Sequence, residues 1–161
     1  MDVDTLKDLY IEQLRDLYSA EQQSAAAAKE MAAAAAHDEL KTALSEHQTR
    51  CEQRLARIEQ IVSGLGEKAT GHKCKGMEGL VKEAKGAIDE AGNDDVRDAA
   101  LITHTQRMLH YELAGFGTVN TYAGRLDKEA QAFFKQVLDQ TYEADRALTD
   151  LATARVNPDA A

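Results

Sequence analysis

The sequence predicts an all-α protein built as a bundle of four long helices, and three observations predict it. Apolar residues recur three and four positions apart through four long segments, the period of a helix with one buried face. The single proline, Pro158, stands almost at the end, so nothing interrupts a helix before it. About thirty residues separate the second long segment from the third, and they carry a shorter helical pattern of their own.

The first helix is expected from about Thr5 to Ala36. Thr5 with Asp8 three residues later forms a capping-box pattern, and Leu6, Leu9, Tyr10, Leu14, Leu17, Tyr18, Ala25 and Ala28 trace one face. Asp38 can cap a second helix through about Ser63, with Leu40, Leu44, Leu55, Ile58 and Val62 inside, and Gly64 and Gly66 end it. "GLGEKATGHKCKG" is a loop by composition, and "MEGLVKEAKGAIDEA" a short amphipathic helix over residues 77–91. Asn93 or Asp94 starts the third long helix, which runs to about Arg125; Asp127 opens the fourth, to about Val156. Two hairpins joined by a long crossover place helices two and three parallel, so the fold class is a ferritin-like four-helix bundle, a single domain over residues 1–161.

Composition narrows the function. The formal charge is −9, and no basic face marks a nucleic-acid partner. No apolar run approaches a membrane span, and the acidic start "MDVDTLKDLY" lacks a signal segment. A cytoplasmic location is expected, with both cysteines, Cys51 and Cys74, reduced. "SAAAAKEMAAAAAH" is helix by propensity; its small side chains require a neighbour to approach closely.

Each long helix carries polar residues on its apolar stripe: Glu21, then His47 and Cys51, then Glu112, then Thr141 and Asp145. With turns near residues 37 and 126, Glu21 lies 16 residues before the first and Cys51 14 after it; Glu112 lies 14 before the second and Thr141 15 after it. At a rise of about 1.5 Å per residue these four share a layer to within about one turn. One inward polar residue per helix at matched depth is the pattern of a metal site in a bundle core, and carboxylates with imidazole suit iron, manganese or zinc. A buried polar network that fixes helix register is the alternative. No E-x-x-H occurs at either expected place.

"LKDLYIEQLRDLYSAEQQ", "EHQTRCEQRLARIEQI", "CKGMEGLVKEA", "VRDAALITHTQRMLHYELAGFGT" and "LDQTYEADRALTDLA" together resemble the YciE/YciF ferritin-like family over nearly the whole chain. The resemblance implies a bundle, frequently dimeric, associated with bacterial stress responses, whose members carry carboxylates positioned for a di-iron centre. Glu21, His47, Glu112 and Asp145 are kept as metal-ligand positions. Arg50, Leu109 and Thr141 stand where the family usually has glutamate, and Cys51 where it has threonine. The expectation that follows is a degenerate di-metal centre in a structural or interaction protein, with no resident cofactor and Arg50 turned inward to pair with Glu21 or Glu112. The rival is a metal-dependent oxidoreductase, or an iron- or peroxide-handling protein, with iron or manganese at a surviving site. No catalytic residue can be named. A homodimer is expected, with neither nucleic acid nor membrane as partner.

Gly115 and Gly117 fall mid-helix, where glycine costs about 0.5–1 kcal/mol against alanine, and close helix approach is expected to offset it. His104 and His110 lie off the Glu112 stripe and read as surface or dimer-face residues. His72 and Cys74 lack the two further ligands a zinc site needs. Cys74 is a family feature with a weak case for a redox role, and Cys51 reads as a small core hydrophobe.

Overall fold

A computed structural model describes residues 2–161, and the chain is helical almost throughout. In order come α1 (Leu6–Ala34), α2 (Asp38–Gly64), α3 (Lys75–Glu90), α4 (Asp94–Leu126) and α5 (Lys128–Leu151), then a π-helical turn (Ala152–Val156) and a last helical turn, α6 (Asn157–Ala160). No strand occurs among the described residues.

Local chemistry sets the starts. Thr5 accepts from the Asp8 N–H while the Asp8 carboxylate accepts from the Thr5 N–H, the complete capping box. Asn93 caps α4 and Asp127 caps α5 through their side chains. The start of α2 differs from expectation: Asp38 is its first helical residue and His37 its cap, with no capping bond from the His37 side chain. A residue far along the chain takes over. Asp98 of α4, wholly buried, accepts from the Ala36 and His37 N–H groups at 2.9 and 2.7 Å.

α1 pairs with α2 and α4 with α5, and the two hairpins meet along α1–α4 and α2–α5. Asp98 near the start of α4 reaches the α1–α2 turn, while Arg57 near the end of α2 reaches Glu129 at the start of α5. Helices α2 and α4 therefore run the same way, the ferritin-like arrangement that the long crossover requires. α3 packs across α1 and α4, over the alanine-rich half of α1, where Ala20, Ala27 and Met31 join Met77 and Ala84 in one cluster. A second cluster, with Tyr10, Leu14, Ile58, Phe116 and Phe134, fills the other half of the bundle.

The glycine pair splits. A Cβ on Gly115 would stand 2.6 Å from Leu17 Cδ2, so α1 and α4 touch there; a Cβ on Gly117 would meet nothing within 4 Å. Leu6 is exposed, and Leu55, expected inside, is only half-buried because Arg54 takes the inward position beside it.

Candidate functional site

Between the two apolar clusters lies a polar layer. The inward positions of α2 run Leu40, Leu44, His47, Cys51, Arg54, Ile58 and Ile61, all buried. Their alternating spacing of four and three is the seam of closely packed, slightly supercoiled helices. Three of the seven are polar, and they face Ser24 and Glu21 of α1, Glu112 of α4 and Thr141 of α5, every one of them buried.

A hydrogen-bonded chain joins most of them. Ser24 Oγ donates to Glu112 Oε1 at 2.8 Å, and His47 Nε2–H donates to Ser24 Oγ at 2.9 Å, since the single serine proton is committed to the carboxylate. The other Glu112 oxygen accepts from Arg54 Nη1 at 3.0 Å, and Arg54 Nη2 donates to Thr141 Oγ1 at 3.0 Å. Thr141 passes its own proton to the Val137 carbonyl at 2.7 Å. The guanidinium lies 5.5 Å from the centre of the Phe116 ring, a cation–π distance.

The two acids end up unlike. Burial pushes the Glu112 carboxyl upward, but His47, Arg54 and Ser24 outweigh it and hold the group below the ordinary range. Glu21 lies 3.5 Å from Arg54 Nη1 and neither of its oxygens has a hydrogen-bond partner. Burial, with the charge of Glu112 added, pushes it up to about 8, against the pull of Arg54. The layer thus sets one readily ionised acid, Glu112, against the guanidinium, while Glu21 resists ionisation. Burial and the neighbouring acids also push the Cys51 thiol well up, so it is not a thiolate.

A cleft of about 400 Å³ opens between α2 and α5 and reaches this layer at His47. Buried Leu109 and Thr105 share its floor, while Glu46, Arg50, Gln140 and Glu143 belong to the more exposed residues around it. Small residues on the facing helices, Ala43, Ala144 and Ala147, keep the gap open.

The DUF892 family, a domain of unknown function, matches residues 5–161. The chain belongs to that family. Protein YciF of Escherichia coli K12 is 37% identical over 159 residues, spanning 98% of this chain and 96% of that protein. The crystal structure of the E. coli stress protein YciF superposes with a TM-score of 0.90, covering 96% of this chain and 99% of that one. YcfI of Rhodopseudomonas palustris, provisionally described as a structural protein, is 32% identical with a TM-score of 0.86, covering 92% and 95%. The YciF resemblance noted in the sequence is thus confirmed.

In this DUF892 chain some of the expected positions come together and others do not. Glu21, His47, Cys51, Glu112 and Thr141 do converge in one layer. Asp145 does not join them; it lies at the α4–α5 seam, where Gln106 Nε2 reaches it at 3.1 Å and His110 Nε2 at 3.2 Å. Arg50 is the clear correction. It is one-quarter exposed and lies 3.7 Å from Glu46 on its own helix, while Arg54, one turn on, supplies the inward cation. Leu109 is plain core lining.

A di-metal centre does not fit these residues. Leu109 supplies no ligand and Thr141 is occupied by Arg54 and the Val137 carbonyl. The guanidinium already stands against both Glu112 and Glu21, the two acids that would have to serve as ligands. A single ion has more to work with, since donor atoms of His47, Cys51 and Glu112 lie within 4.8 Å of one another. It would have to displace Ser24 and deprotonate Cys51.

Proposed function

We propose that this chain is a stress-associated structural protein in which an arginine–glutamate network has replaced a di-metal centre, acting through its surface as a homodimer in the cytoplasm. The observation that carries the reading is Arg54. Its guanidinium donates to Glu112 and Thr141 and faces Glu21, so the layer is near charge balance without an ion. The descriptions of YciF as a stress protein and of YcfI as structural support the same direction.

The test is metal content at this layer. Protein prepared without chelator should hold no iron or manganese that depends on His47. Stoichiometric iron or manganese in the parent chain that disappears in His47→Gln would overturn the reading. Sedimentation that finds only a 17.6 kDa species at micromolar concentration would contradict the dimer.

A second reading keeps some support from Glu21, whose two buried oxygens lack partners and would welcome a cation. In that reading His47, Cys51 and Glu112 hold one iron or manganese ion, and the α2–α5 cleft admits a small oxidant or substrate to it. The same measurement decides between them, with Cys51→Ala distinguishing a thiolate ligand from a bystander.

A further inference from the structure

Away from the core layer, the α1–α2 turn faces the start of α4 and the last residues of the chain. His37 Nδ1 lies 2.6 Å from Asp98 Oδ2, and that buried carboxylate already accepts two backbone N–H groups. A carboxylate only accepts, so Nδ1 carries the proton and Nε2 is the atom left for a second partner. Nε2 lies 3.1 Å from Asp159 Oδ2, and Asp95 brings a third donor atom to within 4.8 Å of both. At 3.1 Å Nε2 either donates a second ring proton to Asp159 or shares a bound cation with it.

Charge says which cation is sufficient. Three carboxylates, Asp95, Asp98 and Asp159, surround one imidazole, and a ring proton offsets one of them. No lysine or arginine pairs with these three among the described residues; the nearby arginines Arg97 and Arg155 are engaged by Asp94 and Glu39.

We propose that His37, Asp95 and Asp159 form a binding site for a divalent transition-metal ion of the zinc class, with Asp98 as the carboxylate that orients the histidine. Metal–ligand bonds of about 2.0–2.2 Å in a tetrahedral site separate neighbouring ligand atoms by about 3.3 Å, close to the 3.1 Å between Nε2 and Oδ2. The buried carboxylate behind Nδ1 fixes the tautomer and strengthens Nε2 as a ligand, the partner that metal-bound histidines regularly have. The ligands come from the α1–α2 turn, the first turn of α4 and α6. An ion here ties the C-terminal segment to the first hairpin. Nitrogen and oxygen alone ligate it, and solvent completes it, so it is independent of the buried layer.

Zinc chloride titrated into the full-length Cys51→Ala chain, in which the core thiol is gone, tests this by calorimetry and thermal melting. One zinc per chain is expected, with a melting temperature raised by roughly 5–10 °C at a hundredfold excess over Kd. Asp159→Asn and His37→Gln should each abolish both effects, and Asp98→Asn should weaken affinity about 10–100-fold. Asp159 is exposed on a terminal turn, so Asp159→Asn folds in any case. An unchanged zinc response in Asp159→Asn overturns the proposal. So does an absence of zinc binding in Cys51→Ala, whether or not the parent chain binds.

Discussion

Two histidine–carboxylate clusters in this bundle solve the same electrostatic problem in opposite ways. The layer around His47 is buried, and an arginine from a neighbouring turn supplies its cation. The turn around His37 is open at one side, has only the ring itself as a cation, and gathers three carboxylates. Burial explains the difference. A charge removed from water must find a fixed partner, whereas a cluster at the surface can leave its balance to solvent or a bound ion. Balance inside a core is built into the chain; balance at an edge can be left to conditions.

That contrast breaks most visibly at Arg54. Arg54→Met leaves Glu112 buried without its cation and should cost roughly 3–5 kcal/mol in urea denaturation. Arg50→Met, removing only an exposed pair with Glu46, should cost within about 1 kcal/mol. Equal costs for the two would mean that the buried layer does not depend on a cation of its own.

Asp98→Asn comes next, at about 2–3 kcal/mol. It weakens charge-assisted bonds to two backbone N–H groups and to His37 Nδ1. Asp159→Asn should change stability in metal-free buffer by no more than about 0.5 kcal/mol. That pair of values would separate the buried, structural half of the His37 cluster from its exposed half.

The remaining effect is a pH slope. The Glu21 carboxyl is raised from 4.5 to about 8 in the folded chain, so the folded state binds more protons than the unfolded one between those limits. Its contribution should therefore fall as pH rises from 4.5 to about 8 and level off above. His37 is also raised, by Asp159 first and Asp98 second, so its contribution is full below its ordinary value of 6.5 and is lost above. Denaturation across pH 5–9 should show Glu21→Gln removing the broad slope, and His37→Gln only the part above neutrality. A parent slope unchanged in Glu21→Gln would mean that the acid is ionised when folded.

Much of this architecture was legible in the sequence, because helical period and cap residues act locally and the length of the crossover restricts topology. The convergence of Glu21, Cys51, Glu112 and Thr141 was legible too, from counting residues out of each turn, with His47 one turn nearer its loop. Depth is only one coordinate of a helix, however. Arg50 has nearly the right depth and the wrong azimuth, while the run Leu40, Leu44, His47, Cys51, Arg54, Ile58 carries the four–three spacing that identifies Arg54. The family resemblance points to Arg50 because it implies glutamate at that position. No local pattern announces the His37 cluster: its contacts span 61 and 122 residues of chain, and only the folded bundle brings them together.

The π-helical turn at Ala152–Val156 acts on that cluster as a phase adjuster. Leu148, Ala152 and Val156 are all buried at intervals of four, though on a regular helix the third would have drifted about 80° from the first. The widened turn takes up the drift, holding Val156 against the core while α6 sets Asp159 toward His37. Angular register at the last turn is thus decided by a single surplus residue, and losing it would swing the terminal carboxylate by about 100°. Asp159 is aimed by a counting irregularity upstream, and a one-residue change in helix length there would uncouple α6 from the α1–α2 turn.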